Sequence, residues 1–391
     1  MKPRILTRTI WILSFVSLFT DVASEMLYPV MPIYLKSIGF SVVLIGVLEG
    51  LAEATAGLSK GYFGKMSDNT GKRIPFVRWG YGLSALSKPM MAIFTFPIWI
   101  FFARTLDRLG KGIRTGARDA MLSDESAPEH KGKVFGFHRS MDTMGAVLGP
   151  LTALLFLYYF PHQYKNLFYI AFIPGVVAIS FTYLTKDKQV KPKENVTPTS
   201  FFDFLVYWKS SPIVYKKLVF GLLLFALFNS SDVFLLLKMK EGGMSDTGTI
   251  GVYIFYNAFY ALASYPLGIL GDKVGLKKIF IFGLIMFATV YFGMAWGSGT
   301  YWYLFLFFLY GIYAAATDGI AKAWIANTTD KKDTATAIGT YTGFQSICTL
   351  LASTIAGLIW AQYGSMVTFY LTTTITVVVI GYFLFLKPVK S

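Results

Sequence analysis

Gly64-Lys65-Met66-Ser67-Asp68-Asn69-Thr70-Gly71-Lys72-Arg73 is a charged hinge between two apolar runs, 42–63 and 74–97. Each run is long enough to cross a bilayer. The pattern returns as Gly268-Ile269-Leu270-Gly271-Asp272-Lys273-Val274-Gly275-Leu276-Lys277-Lys278, again between apolar runs. Both copies read Gly-x-x-x-Asp-x-x-Gly-x-(Lys/Arg), and Asp272 follows Asp68 by 204 residues, about half the chain. The same offset links Lys36, Gly39 and Ser41 to Lys240, Gly243 and Ser245, while Gly136 is answered by Gly339. The chain therefore reads as a duplication.

The doubled loop resembles the signature of the major facilitator superfamily, which joins the second and third helices of each six-helix half. The first copy departs at Asn69, where the family places a base, and the second at Leu276. The resemblance implies an all-α integral membrane fold of twelve transmembrane helices in two parallel six-helix repeats. It also implies alternating access, with the Asp68 and Asp272 loops latching the cytoplasmic side in the outward-facing state. The segment from Asp107 to Pro150 is similar to a branch of uncharacterised bacterial facilitators.

Composition agrees. Apolar residues make up 54% of the 391 and the mean hydropathy is +0.54. Twelve spans need on the order of 240 residues, which leaves no room for a soluble catalytic domain. An enzyme is not expected. The net charge of +15 follows from 36 Lys and Arg against 21 Asp and Glu. The bases gather on alternate loops, so the positive-inside rule explains them better than a nucleic-acid partner. Cys348 is the single cysteine, and His130, His138 and His162 are scattered, so neither a disulfide nor a metal cage is expected. Gly110 to Gly116 does not have dinucleotide-loop spacing, and no nucleotide-binding lysine loop is present. No cofactor is implied beyond a coupling ion, a proton or else sodium.

The apolar runs predict helices near 10–35, 42–64, 74–96, 98–118, 134–160, 166–184, 215–238, 249–270, 277–297, 300–324, 334–361 and 365–387. The run 10–35 passes Asp21 with no small-residue cleavage site, which argues for a first span rather than a signal peptide. Residues 1–184 form the N-terminal half, 185–212 a charged cytoplasmic linker with an amphipathic stretch from Phe201 to Trp208, and 213–391 the C-terminal half. Loop bases place both termini on the cytoplasmic side, and the resemblance to bacterial facilitators implies a bacterial inner membrane. The expected partners are the lipid bilayer and a small-molecule substrate, with the chain acting as a monomer.

Charges within spans are costly and mark function. Asp21 and Glu25 share one helix face, as do Glu49 and Glu53. These four are candidates for proton coupling or for the substrate cavity. Arg104 and Arg108 on helix four are candidates to grip an anionic substrate group, whereas Arg114 and Arg118 read as gate residues pairing with Asp68 or Asp124. His138 and Asp142 on helix five form either a proton relay or a structural pair. Gly145-x-x-x-Gly149-Pro150 resembles the helix-five motif of superfamily antiporters, although the glycine pair that follows in that motif is Leu151-Thr152 here. Asp232 is a cavity candidate in the second half. The gate set is Asp68, Lys72, Arg73, Arg114, Arg118, Asp272, Lys273, Lys278, Asp318 and Lys322. Together these imply a secondary transporter, by first reading a proton-coupled exporter of a small organic solute. The alternative is proton-coupled uptake of an organic anion or metal-chelate siderophore.

Overall fold

The computed structural model describes residues 5–386 apart from 29, 41, 162, 188–202 and 231. Within its helices it describes the backbone alone at 32, 33, 36, 42, 43, 45–47, 49, 50, 53, 54, 203–205, 233, 246, 247 and 250. The described residues form helices and no strands. In order these are α1 (Arg8–Leu27), α2 (Met31–Ser37), α3 (Val42–Thr70), α4 (Ile74–Ile93), α5 (Pro97–Asp124), α6 (Lys131–Tyr159) and α7 (Tyr164–Thr182). There follow α8 (Asp203–Ser210), α9 (Ile213–Ala226), α10 (Val233–Glu241), α11 (Asp246–Val274), α12 (Leu276–Trp296), α13 (Thr300–Asn327) and α14 (Thr334–Phe385).

Twelve spans emerge from these once three departures from the sequence expectation are noted. The first span is α1 followed by α2, because the sequence places Pro29 and Pro32 at the junction and proline removes a helix donor. The seventh is α9 followed by α10. The last two run on as α14 and bend at Gly364, whose φ of 85° only glycine adopts readily. Six helices of the described residues meet length and apolarity together, α1, α6, α7, α12, α13 and α14. Of the others, α3, α4 and α5 carry charges within the run, and α9 and α10 are short.

The opening hinge is mostly helix. The sequence suggests a loop from Gly64, but α3 continues to Thr70, and only Gly71 (φ 66°) turns the chain. The matching turn is Gly275 (φ 103°). Both motif aspartates therefore sit in the last helical turns rather than in loops. Asp187 then caps α4, its Oδ1 accepting from the backbone N–H of Arg73 and of Ile74, each at 3.0 Å.

Two compact units result. The first comprises residues 1–127, 141–210 and 330–343, and the second 128–140, 211–329 and 344–391. In the first unit α4 packs on α5 and α7, α3 on α5 and α1 on α7; in the second α13 packs on α11 and α12. Large apolar side chains also cover the outside. Ile98, Trp79, Tyr158 and Trp296 are 81, 69, 79 and 76% exposed, a surface suited to hydrocarbon rather than water.

Helix α6 lies against α1 through two glycines. A Cβ on Gly145 would stand 2.6 Å from the Leu18 carbonyl oxygen, and one on Gly149 2.7 Å from the Met26 nitrogen. Small residues allow this approach in a membrane, so Gly149→Val is expected to cost about 1–3 kcal/mol by overpacking. Thermal unfolding of the purified variant should show a lowered midpoint. Gly82→Ala, at a site with nothing within 4 Å of the added carbon, should not.

Candidate functional site

The first unit gathers most of the buried charge. On α5, Asp107 is the anchor: Lys88 of α4 donates to its Oδ1 at 2.8 Å, and Arg104 reaches Oδ2 at 3.4 Å. Lys88 also donates to Ser24 of α1 at 3.2 Å. Arg104 is thus held by a carboxylate of its own helix and is 6% exposed. Arg108 stands within electrostatic reach of Asp107 and of Glu25.

Asp21 has Asp142, Glu25, Lys111 and Arg114 around it. A Cβ at Gly145 would come within 2.7 Å of the Asp21 Cβ, so the glycine contact of α6 with α1 is also what brings Asp142 near Asp21. Asp142 accepts from the Ser17 hydroxyl, and Ser17 in turn accepts from Arg118 at 3.3 Å. The structure thus brings together Asp21, Glu25, Asp142, Arg108, Lys111 and Arg114. Glu49 and Glu53 lie on α3, and their side chains fall outside the described residues. His138 is buried one turn before Asp142.

Arg114 and Arg118 do not follow the expected gate pairing. Arg114 donates to Ser84 at 2.6 Å and stacks its guanidinium 4.4 Å from the Tyr81 ring centre. Arg118 pairs with its neighbour Asp119 at 2.8 Å. The reason is helical reach: α5 continues to Asp124, so both arginines sit inside the helix and not at its end. The partner of Asp68 is Arg73, which also lies 3.9 Å from Asp124.

Asp68 has a further role within this unit. Its Oδ2 accepts both the backbone N–H and the hydroxyl of Thr336, each at 2.6 Å. Thr336 lies in the first turn of α14, whose free N–H groups and dipole favour a carboxylate. Close approach is possible because a Cβ at Gly64 would stand 2.5 Å from the Ala335 oxygen. Helix α8 packs on α3 nearby, where burial and the charges of Asp333, Asp68 and Asp330 push the Tyr207 phenol up.

The second unit repeats the device. Asp272 accepts from the backbone N–H of Gly132 and of Lys133, each at 2.7 Å, in the first turn of α6. A Cβ at Gly136 would stand 2.5 Å from the Ser264 oxygen of α11. Of the other predicted gate residues, Lys72, Lys273 and Lys278 are exposed. Asp318 accepts from Arg139 at 2.7 Å and from the Tyr260 hydroxyl, while Lys322 is half-buried one turn further on. Asp232 accepts from the Tyr310 hydroxyl at 2.6 Å.

Sequence reasoning missed Arg139, Tyr260, Tyr310 and Thr336 as members of these clusters. Arg139 carried a signal, being a base three residues before Asp142 within a span. Thr336 carried none, since capping by a distant carboxylate leaves no local pattern.

Residues 13–258 and 239–391 match the Major Facilitator Superfamily. The chain belongs to this family. It is a membrane-embedded transporter and not an enzyme. An uncharacterized MFS-type transporter of Methanocaldococcus jannaschii is 33% identical over 94% of this chain and 92% of its own length. The staphyloferrin B transporter of Staphylococcus aureus is 31% identical over 37% of this chain and 34% of its own. The multi-drug resistance efflux pump PmrA of Streptococcus pneumoniae is 20% identical over 92% and 91%. Among solved structures the human organic anion transporter MFSD10 superposes with a TM-score of 0.82 at 14% identity, over 96% and 99% of the two chains.

Replacing Asp68 by Asn removes the nearer carboxylate from the buried Arg73 and leaves it only Asp124 at 3.9 Å, where breaking a comparable buried pair costs up to about 3–5 kcal/mol. Spin labels on exposed Thr70 and Lys332 of the transporter should show one short separation in the wild type and a longer, broader one in Asp68→Asn. An unchanged distribution would make the contact purely structural.

Proposed function

We propose that the transporter exports a small organic solute in exchange for protons, working by alternating access as a monomer in the cytoplasmic membrane of a prokaryotic cell. In this reading both termini and the two aspartate latches lie on the cytoplasmic side. Asp68 and Asp272 hold the helix starts at Thr336 and Lys133 in one state and release them in the other.

The observation that carries the reading is the meeting of Asp21, Glu25 and Asp142 beside Lys111 and Arg114, at the glycine contact of α6 with α1. A carboxylate that must serve either a proton or a neutral or cationic solute gives exchange, because the two compete for one group. Gly145 and Gly149 of the motif that is similar to that of antiporters pack on the successive turns of α1 that carry Asp21 and Glu25. The efflux-pump relative, alike along 92% of the chain, supports the same direction.

A second reading rests on the cationic face of α5. Arg108, Lys111 and Arg114 would hold an organic anion or metal chelate once protons neutralise the acids that face them. Binding of anion and proton is then cooperative, which gives co-transport in one direction. The similarity to a staphyloferrin B transporter favours this chemistry.

The test uses purified protein in liposomes with a pH dye inside, challenged with panels of organic cations, neutral solutes, anions and chelates. Exchange predicts proton efflux as solute enters, with gradient-driven flux lost in Asp21→Asn while solute–solute exchange persists. Protons entering together with an anion would replace the first reading by the second. Full coupled flux in Asp21→Asn, Glu25→Gln and Asp142→Asn alike would remove the cluster from the mechanism.

A further inference from the structure

The seventh span opens in the middle of its run. Helix α9 stops at Ala226 and α10 starts at Val233, and the connection carries Asn229, Ser230 and Asp232. Asp232 stands at the N-cap position of α10 yet makes no capping bond. Its carboxylate turns instead to Tyr310 and remains half-buried. Among the described residues no Lys or Arg pairs with it, and the one charged group acting on it is another acid, Asp318. A carboxylate within a span costs about 2.5–3.5 kcal/mol on insertion scales. With no cation of its own, it is suited to one that comes and goes.

The neighbouring groups are oxygens short of partners. Tyr291 places its hydroxyl near both Ser230 and Tyr310, but neither the Ser230 hydroxyl nor that of Tyr291 completes a well-formed hydrogen bond. Ser230 is 4% exposed and Tyr291 0%. Asn229 donates through Nδ2 to Tyr313 at 2.9 Å, and its Oδ1 has no donor. Buried polar atoms left in this way are costly unless something binds them. The C-terminal end of α9 adds partial negative charge at the same break, and unwound segments of spanning helices are where transporters hold coupling cations.

The geometry points to a monovalent-cation site in this break, filled by a sodium ion held by Asp232, with oxygens of Asn229, Ser230, Tyr291 and Tyr310 around it. All five donors are oxygen, as a hard cation requires. One carboxylate neutralises one charge, so a divalent ion would leave an uncompensated charge in the span. The rings of Tyr256 and Tyr313 pack against that of Tyr310, with centroids 5.1 and 5.2 Å away, and hold the phenol that donates to Asp232 in place. The site belongs to the second unit and does not depend on the carboxylates of the first or on the direction of transport.

Radiolabelled sodium binding to the full chain in nanodiscs, measured with no gradient and no solute, tests this directly. Wild-type protein should bind sodium saturably, displaced by unlabelled sodium but not by tetramethylammonium, and sodium should raise its unfolding temperature. Asp232→Asn should weaken binding at least about tenfold and abolish the thermal shift. Ser230→Ala, which keeps the carboxylate, should weaken binding less and covers the case in which Asp232→Asn fails to fold. No saturable sodium binding, equal binding by a folded Asp232→Asn, or displacement by tetramethylammonium would each overturn the assignment.

Discussion

A charge inside a membrane must be paired, hydrated or in use, and the arrangement of this protein follows from that demand. Helix α5 alone carries Arg104, Asp107, Arg108, Lys111, Arg114, Arg118 and Asp119. It is stable as a span because each charge that the structure describes there has a neighbour of opposite sign or a polar group. Asp107 serves Lys88 and Arg104, Asp119 serves Arg118, and Ser84 with the Tyr81 ring serves Arg114. Removing a single anchor such as Asp107 would leave two cations in a low-dielectric interior.

Backbone polarity imposes a parallel demand at helix starts, where N–H groups lack partners. The chain meets it twice with one device. Asp68 covers the first turn of α14 and Asp272 that of α6, each in a unit where glycine lets the backbones meet. A carboxylate accepting two donors at a dipole's positive end is a strong contact while formed. It is also all-or-none, because a small withdrawal loses both bonds. That property suits a latch between two states better than a graded apolar surface would.

The two units differ in chemistry although each carries one copy of the repeated aspartate motif. Carboxylates and bases crowd the first. In the second, Asp232 and Asp318 are surrounded by tyrosines 256, 260, 291, 310 and 313. Hydroxyls and rings are the neighbours of Asp232 there, while Asp318 has Arg139 beside its tyrosines. Among the described residues Asp232 has no base paired with it, whereas the acids of the first unit face Lys111 and Arg114.

The amino-acid sequence by itself determined the membrane class, the duplication and the twelve spans, since each rests on local composition or on spacing along the chain. It also located the glycine turns at Gly71 and Gly275 and the carboxylates at Asp21 and Glu25. Only the tertiary structure decided who meets whom. Arg118 answers to Asp119 and not to a gate acid, Asp68 answers to Thr336, and Asp318 to Arg139. It also decided that α3 runs through the hinge and that the first and seventh spans are broken. Pairings between residues more than a hundred positions apart depend on how helices cross and which small residues let them approach. Neither is written in the periodicity of any one helix.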